Sequence, residues 1–293
     1  MGASVKDISD ELFDKWILLL VSKNDVYAHT TAIDIFVSHY VFQTQKPLPE
    51  ELTLKLLTLK TLGTQATRQL SSQIEWDWSQ VAKRYIEQYP TKVEKLIDFI
   101  AKYYGRKNSI LESHHEAATV LSRLAEMEPV EVWNKVAAEI AKGSFDTYSL
   151  ESWLRGEVSF GEAREGAAIQ LLDQKMVIDW IEENPKERAP LVARMVPHDF
   201  GFGLKDGQQC WIRIILDKYG QDKSVRSALN SNLWSEGYSG PASAHYGKRL
   251  EEIKRFKKEN IDSPNVQQWA NEYIPGIEAY VDEAKLREER YGY

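Results

Sequence analysis

The chain has 293 residues, 43% apolar and 28% charged, the composition of an ordinary soluble protein that can bury a core. Its 37 basic and 44 acidic residues leave a net charge of −7, the wrong sign for a general nucleic-acid or anionic-membrane binder. A single cysteine excludes internal disulfides and Cys-based zinc fingers, and the longest apolar run, residues 16–21, is far too short to span a bilayer. With no secretory pattern at the N-terminus, a cytoplasmic location is expected, with no membrane partner.

Apolar spacing of three and four predicts an all-helical chain. In order, helices are expected over 8–21, 25–42, 50–62, 75–89, 91–104, 112–126, 129–142, 146–154, 167–183, 185–196, 207–219, 222–233, 241–259, 264–274 and 276–290. Asp10, Glu11 and Asp14 suit the first turn of the first helix, where acids meet the positive end of the dipole. Gly63, Gly105, Gly143 and Gly220 stand at helix ends, where a left-handed residue can close the last turn. Glu128-Pro129, Asn184-Pro185 and Ser263-Pro264 mark helix starts, because proline lacks only an amide that would go unused there. Residues 211–216 are rich in β-branched side chains, as in a short buried strand. Gln208, Gln209, Arg213 and Lys218 fit the outer face of a helix, so helix is the reading. Pro275-Gly276 is expected to kink or break the last helical stretch.

The four glycines lie 42, 38 and 77 residues apart, the last close to two units of the others. Segments 100–105 and 215–220 both run from isoleucine to Tyr-Gly, each followed by a polar loop. A unit of about 40 residues holding a helix pair is the signature of a HEAT-like or armadillo-like α-solenoid. The alternative is an irregular helical bundle. Residues 1–143 and 144–293 form the two expected halves, the second continuous with the first, and four glycines crowd 143–166.

Chemical motifs are scarce. No phosphate-binding glycine loop occurs: Gly201-Phe202-Gly203 begins one, but Gly207 falls a residue late. His114, His115, Glu112 and Glu116 could serve a metal-dependent hydrolase, but His115-Glu116 lacks the second histidine that would share its face. No serine elbow occurs, and Cys210 beside Trp211 reads as a buried small hydrophobe. No cofactor and no metal site are therefore expected. Lys248, Arg249, Lys254, Arg255, Lys257 and Lys258 form the densest basic cluster, a candidate nucleic-acid contact diluted by Glu251, Glu252 and Glu259. Nine tryptophans are many for this length, and most sit at apolar helical phases. Trp234 differs, because it precedes the glycine-rich stretch 235–241. With Tyr238 and His245 it is the candidate partner-binding set, since aromatics at such a loop make good interface anchors. The opposing reading folds that loop back on the last helices.

Several segments carry a resemblance: Leu121-Ser122-Arg123-Leu124-Ala125 with Trp133, Trp153-Leu154-Arg155-Gly156, Leu216-Asp217-Lys218-Tyr219-Gly220, and 239–246. Pro264-Asn265-Val266 with Trp269 and the closing Glu288-Glu289-Arg290 belong to the same set. Over roughly 115–293 the chain resembles the helical C-terminal region of large multidomain bacterial proteins of the phage-defence and stress type. That resemblance implies a HEAT-like sensing or interaction region, with catalysis outside this stretch. The expected function is noncatalytic recognition of a protein partner or of other domains of a longer chain.

Overall fold

A computed structural model describes residues 9–23, 25–44, 46–59, 68–107, 109–112, 115–143, 147–156, 167–202, 204, 206–235 and 237–291. Gly63, His114 and most of 144–166 lie outside these, as does the side chain of His115. The regular elements among the described residues are all helices, without a strand. No described helix is long and apolar enough to cross a membrane. The chain divides into two compact units, with the boundary between Trp153 and Leu154.

The first unit holds α1 (Asp10–Val21), α2 (Val26–Phe36), α3 (Glu50–Leu57), α4 (Arg68–Gln88), α5 (Glu94–Tyr103), α6 (His115–Met127), α7 (Pro129–Ile140) and most of α8 (Tyr148–Arg155). Ser9 caps α1 and Asp25 caps α2, each accepting from an amide three residues on. Helix α2 runs into a π-helical segment, Val37–Gln43, which brings the neighbours His39 and Tyr40 both against α1. The His39 ring stacks 4.2 Å from Phe13, and the Tyr40 hydroxyl donates to Asp14 at 2.7 Å. From α1 to α7 each helix packs on its next-but-one neighbour: α1 on α3, α2 on α4, α3 on α5, α4 on α6 and α5 on α7. Trp78 and Trp133 lie in this core, and the Trp78 indole donates to the Leu57 carbonyl at 3.0 Å. Glu75, fully buried on α4, accepts from the Ala117 amide at 3.0 Å and so satisfies the start of α6.

Asp77, also on α4, is 4% exposed, and among the described residues its carboxylate meets the Gln73 amide, at 3.4 Å. Burial raises its pKa, and the nearby Asp34 adds to the shift. An acid whose folded pKa exceeds its unfolded value, about 3.9, binds protons more tightly when folded. Stability therefore falls as pH rises through that window, and the cost persists at neutral pH. Asp77→Asn should raise the thermal midpoint at pH 7 by about 2–4 °C, as about 1 kcal/mol would do in a unit of this size. The gain should vanish near pH 3. Circular dichroism melts at the two pH values check this, and equal midpoints at pH 7 would refute it.

The second unit begins with a 3-10 turn, Ala168–Leu171, followed by α9 (Gln174–Glu183), α10 (Pro185–Ala193), α11 (Trp211–Tyr219), α12 (Lys223–Trp234), α13 (Ala242–Glu259) and α14 (Pro264–Tyr291). The expected helix over 167–183 is broken, because the Asp173 carboxylate accepts from the Lys175 amide at 2.7 Å and starts α9 afresh. Residues 211–216 are helical, with Trp211, Ile212, Ile215 and Leu216 buried on one side. Pro275 does not end the chain's last helix: α14 runs through it. An internal proline costs roughly 3 kcal/mol. Val266, Trp269, Ala270 and Tyr273 before it and Ile277, Val281 and Ala284 after it are all buried, and α14 packs along α13. That burial outweighs the lost bond, while Pro275 and Gly276 face solvent.

Gly105 and Gly143 take the left-handed conformation expected at their helix ends, with φ of 66° and 62°. Gly220 does not: its φ is −67°. Space calls for glycine there instead, since a Cβ would collide with the Leu216 carbonyl oxygen and stand 3.0 Å from the Asn265 Cβ.

A polar hub sits at the end of α10. The Asn232 amide nitrogen donates to the carbonyls of Ala193 and Val196, and its oxygen faces His198 Nε2 at 2.8 Å. Arg155 donates to the Arg194 carbonyl at 2.9 Å, and Arg249 to the His198 carbonyl at 2.6 Å. Two guanidinium groups and one amide thus satisfy carbonyls where the helix dipole is negative.

Candidate interaction site

The aromatic end of the second unit is built from three elements. Helix α12 ends at Trp234, a loop follows, and Gly240 turns the chain into α13 with a φ of 91° that suits glycine. The cap position of α13 is Pro241, which has no side-chain acceptor. Glu288 of α14 supplies one. Its carboxylate accepts from the Ser243 amide at 2.9 Å and from the Ser243 hydroxyl. These bonds hold its pKa below the usual carboxylate range.

Aromatic rings fill the angle between these elements. Trp234 lies 5.0 Å from Tyr246, 5.1 Å from Tyr280 and 6.0 Å from Tyr273. Tyr246 meets Tyr280 edge-on at 4.8 Å, and Tyr238 stacks on His245 at 4.9 Å. Burial lowers the pKa of His245, so the ring is neutral at neutral pH, and it raises the phenol pKa of Tyr246. The Tyr280 phenol is raised by burial and by a hydrogen bond with Tyr238. Beside this cluster opens a cleft of 410 Å³, walled by Tyr238, Pro241, Tyr280, Arg287, Glu288 and Tyr291. Tyr238 is 44% exposed and Tyr291 71%. Arg287 is paired with Glu283.

The structure brings the three expected anchors together but gives them different places. Tyr238 lines the cleft, and His245 backs it. Trp234 is half-buried against three tyrosines, so its ring is chiefly a packing element. Tyr280, Arg287, Glu288 and Tyr291 were not among the expected site residues. Tyr280 continues the three-and-four apolar spacing of Trp269, Tyr273 and Ile277, and Arg287 and Glu288 fall within the charged run 285–290, so neither pattern marks a site.

The basic cluster changes character. Arg249 is 6% exposed, so it leaves the expected stripe. It donates into the hub and lies over the Phe200 ring at 5.6 Å. Lys254 pairs with Glu278 at 2.9 Å and Arg255 with Glu259 at 2.8 Å, while Lys248 is 3.9 Å from Glu252. Lys257 donates to Asn271 at 2.7 Å, and Lys258 is exposed. Much of the positive charge is thus met by acids of the same surface.

Of the four residues of the alternative metal-hydrolase reading, Glu116 is engaged by Ser79 and by Lys83 at 3.2 Å. Among the described residues no three His, Cys, Asp or Glu side chains are grouped to hold a metal. Burial pushes the Cys210 thiol up to about 11, which suits an inert side chain better than a nucleophile. A larger cleft of 670 Å³ lies beside α9 and α11, but Lys175 there pairs with Asp179 and Lys218 faces Glu182 at 3.8 Å. Compared with protein-family models, with curated proteins and with solved structures, the chain matches none.

Proposed function

We propose that this chain is a noncatalytic helical-repeat module that recognises a protein partner, or another domain of a longer chain, at the cleft beside Tyr238. One observation carries the reading. An open aromatic cleft stands on the packed pair α13 and α14, with two well-exposed tyrosines on its walls. Monomeric surfaces seldom leave such residues together without a use. The solenoid reading draws on the first unit, where helices pack on their next-but-one neighbours as stacked helix pairs do. The bacterial defence setting rests on the resemblance of residues 115–293 alone.

Tyr238→Ala removes an exposed wall and leaves the packed tyrosines in place. Tagged wild-type and variant chains are used to capture partners from lysate, and captured proteins are quantified by mass spectrometry. A protein held by the wild type should drop by about tenfold or more with the variant, as truncated interface anchors do, while circular dichroism stays unchanged. Equal capture by a folded variant would overturn the placement.

A further inference from the structure

Helix α1 is apolar on more than one side. Phe13 and Ile17 are buried in the first unit. Leu12, Trp16 and Leu19, spaced by four and three along another face, are 44%, 48% and 57% exposed. Single exposed apolar residues are ordinary, but a tryptophan between two leucines in one stripe is a patch of the kind that associates. The two ends of the stripe carry opposite charges. Glu11 stands exposed at its start, while Asp10 and Asp14 nearby are met by Lys46 and Tyr40. Lys23 stands exposed at the other end, in the closing turn, where its amide donates to the Leu20 carbonyl. The carboxylate of its neighbour Asp25 is taken up in capping α2.

A stripe that is acidic at one end, apolar in the middle and basic at the other complements itself. A second α1, turned about a two-fold axis at right angles to the first, runs antiparallel to it. Trp16 of each copy then meets Leu19 of the other, Glu11 of each meets Lys23 of the other, and the helix dipoles oppose. A parallel pair would set like charges side by side. Glu11 gives up little in the exchange, because its pair with Lys15 is exposed and pairs of that kind are weak. We propose that this face of α1 is an isologous contact between two copies of the chain, packed through Trp16 and Leu19 and held in antiparallel register by Glu11 and Lys23. Stable interfaces bury about 800 Å² on each partner, more than one helix of 12 residues offers, so a weak dimer is expected. Its dissociation constant should be roughly 10–100 μM. The contact lies in the first unit and does not depend on the recognition reading of the cleft beside Tyr238.

Sedimentation equilibrium of the full chain from about 1 to 500 μM tests it, a range that brackets that constant. The mean mass should climb from monomer toward dimer and no further, because a two-fold contact closes on itself. Trp16→Glu should weaken the pairing at least about tenfold, with unchanged circular dichroism. Charge exchange tests the register. Glu11→Lys sets Lys against Lys23 of its own copy's twin, and Lys23→Glu sets Glu against Glu11, so each variant alone should pair about tenfold more weakly. Mixed in equal amounts, the two variants meet with both charge pairs restored, and the mixture should associate as the wild type does. A wild-type chain that stays monomeric throughout would overturn the proposal and leave the stripe to a different protein. Undiminished pairing by folded Trp16→Glu, or a mixture no stronger than its components, would overturn it as well.

Discussion

Asn232→Leu should lower the unfolding free energy of the second unit by about 3 kcal/mol, since each stranded buried polar group costs about 1–3. Asn232 is 2% exposed, and leucine has the same branching but is larger, so it leaves no cavity and adds some overpacking. The main cause is polar. The carbonyls of Ala193 and Val196 lose their donor, and His198 and Arg155 lose an acceptor at 2.8 and 3.4 Å. Such hubs fail together, because each member's partner is another member. Urea unfolding followed by circular dichroism and tryptophan fluorescence measures the loss. Asn232→Asp keeps the shape and the acceptors but removes the donor, and should fall between wild type and leucine. A leucine variant within 0.5 kcal/mol of wild type would show that the α10 carbonyls find other partners.

Gly105→Ala is expected to cost about 2–4 kcal/mol in the first unit. A left-handed φ of 66° accounts for about 1 kcal/mol of this. The rest comes from space, because the new methyl group would overlap the Ser149 side chain. Gly143→Ala is the internal control. It has the same hand at 62° but nothing within 4 Å, so only the dihedral cost, about 1 kcal/mol, should appear. Ser149→Gly combined with Gly105→Ala should recover the steric part. If the two substitutions instead add their separate costs, Ser149 is not the obstacle.

Local chemistry made much of this fold readable from sequence. Period and caps located most helices, and the apolar stripe through Val266, Trp269, Tyr273 and Ile277 is the buried face of α14. Errors arose where distant residues overrule local ones. Pro275 is a breaker by itself, but α14 continues through it, packed on α13. Gly220 looks like the twin of Gly105, yet its φ is right-handed and space calls for glycine: a Cβ would strike the Leu216 carbonyl one turn back and crowd Asn265, 45 residues on. Arg249 reads as one of six surface cations, but it donates to the His198 carbonyl. At the candidate site, Tyr238 in the loop and His245 on α13 could be singled out from sequence. Glu288 as the cap of α13 was not, because Pro241 gives no sign of where its missing acceptor lies.

A helix that contains its own breaker is conditional on its neighbour. Alone, the stretch before Pro275 and the stretch after it would have little reason to stay collinear. Docked on α13, they form one rod, and that rod carries Tyr280, Arg287, Glu288 and Tyr291 to the cleft. The docking is reciprocal, since Glu288 closes the start of α13 only when α14 is whole. The last fifty residues should therefore open and close as one cooperative unit in hydrogen exchange, with slowed amides along both helices lost together. A ligand seated between Tyr238 and Tyr291 would bridge the two helices, and it would slow that opening in proportion to its occupancy.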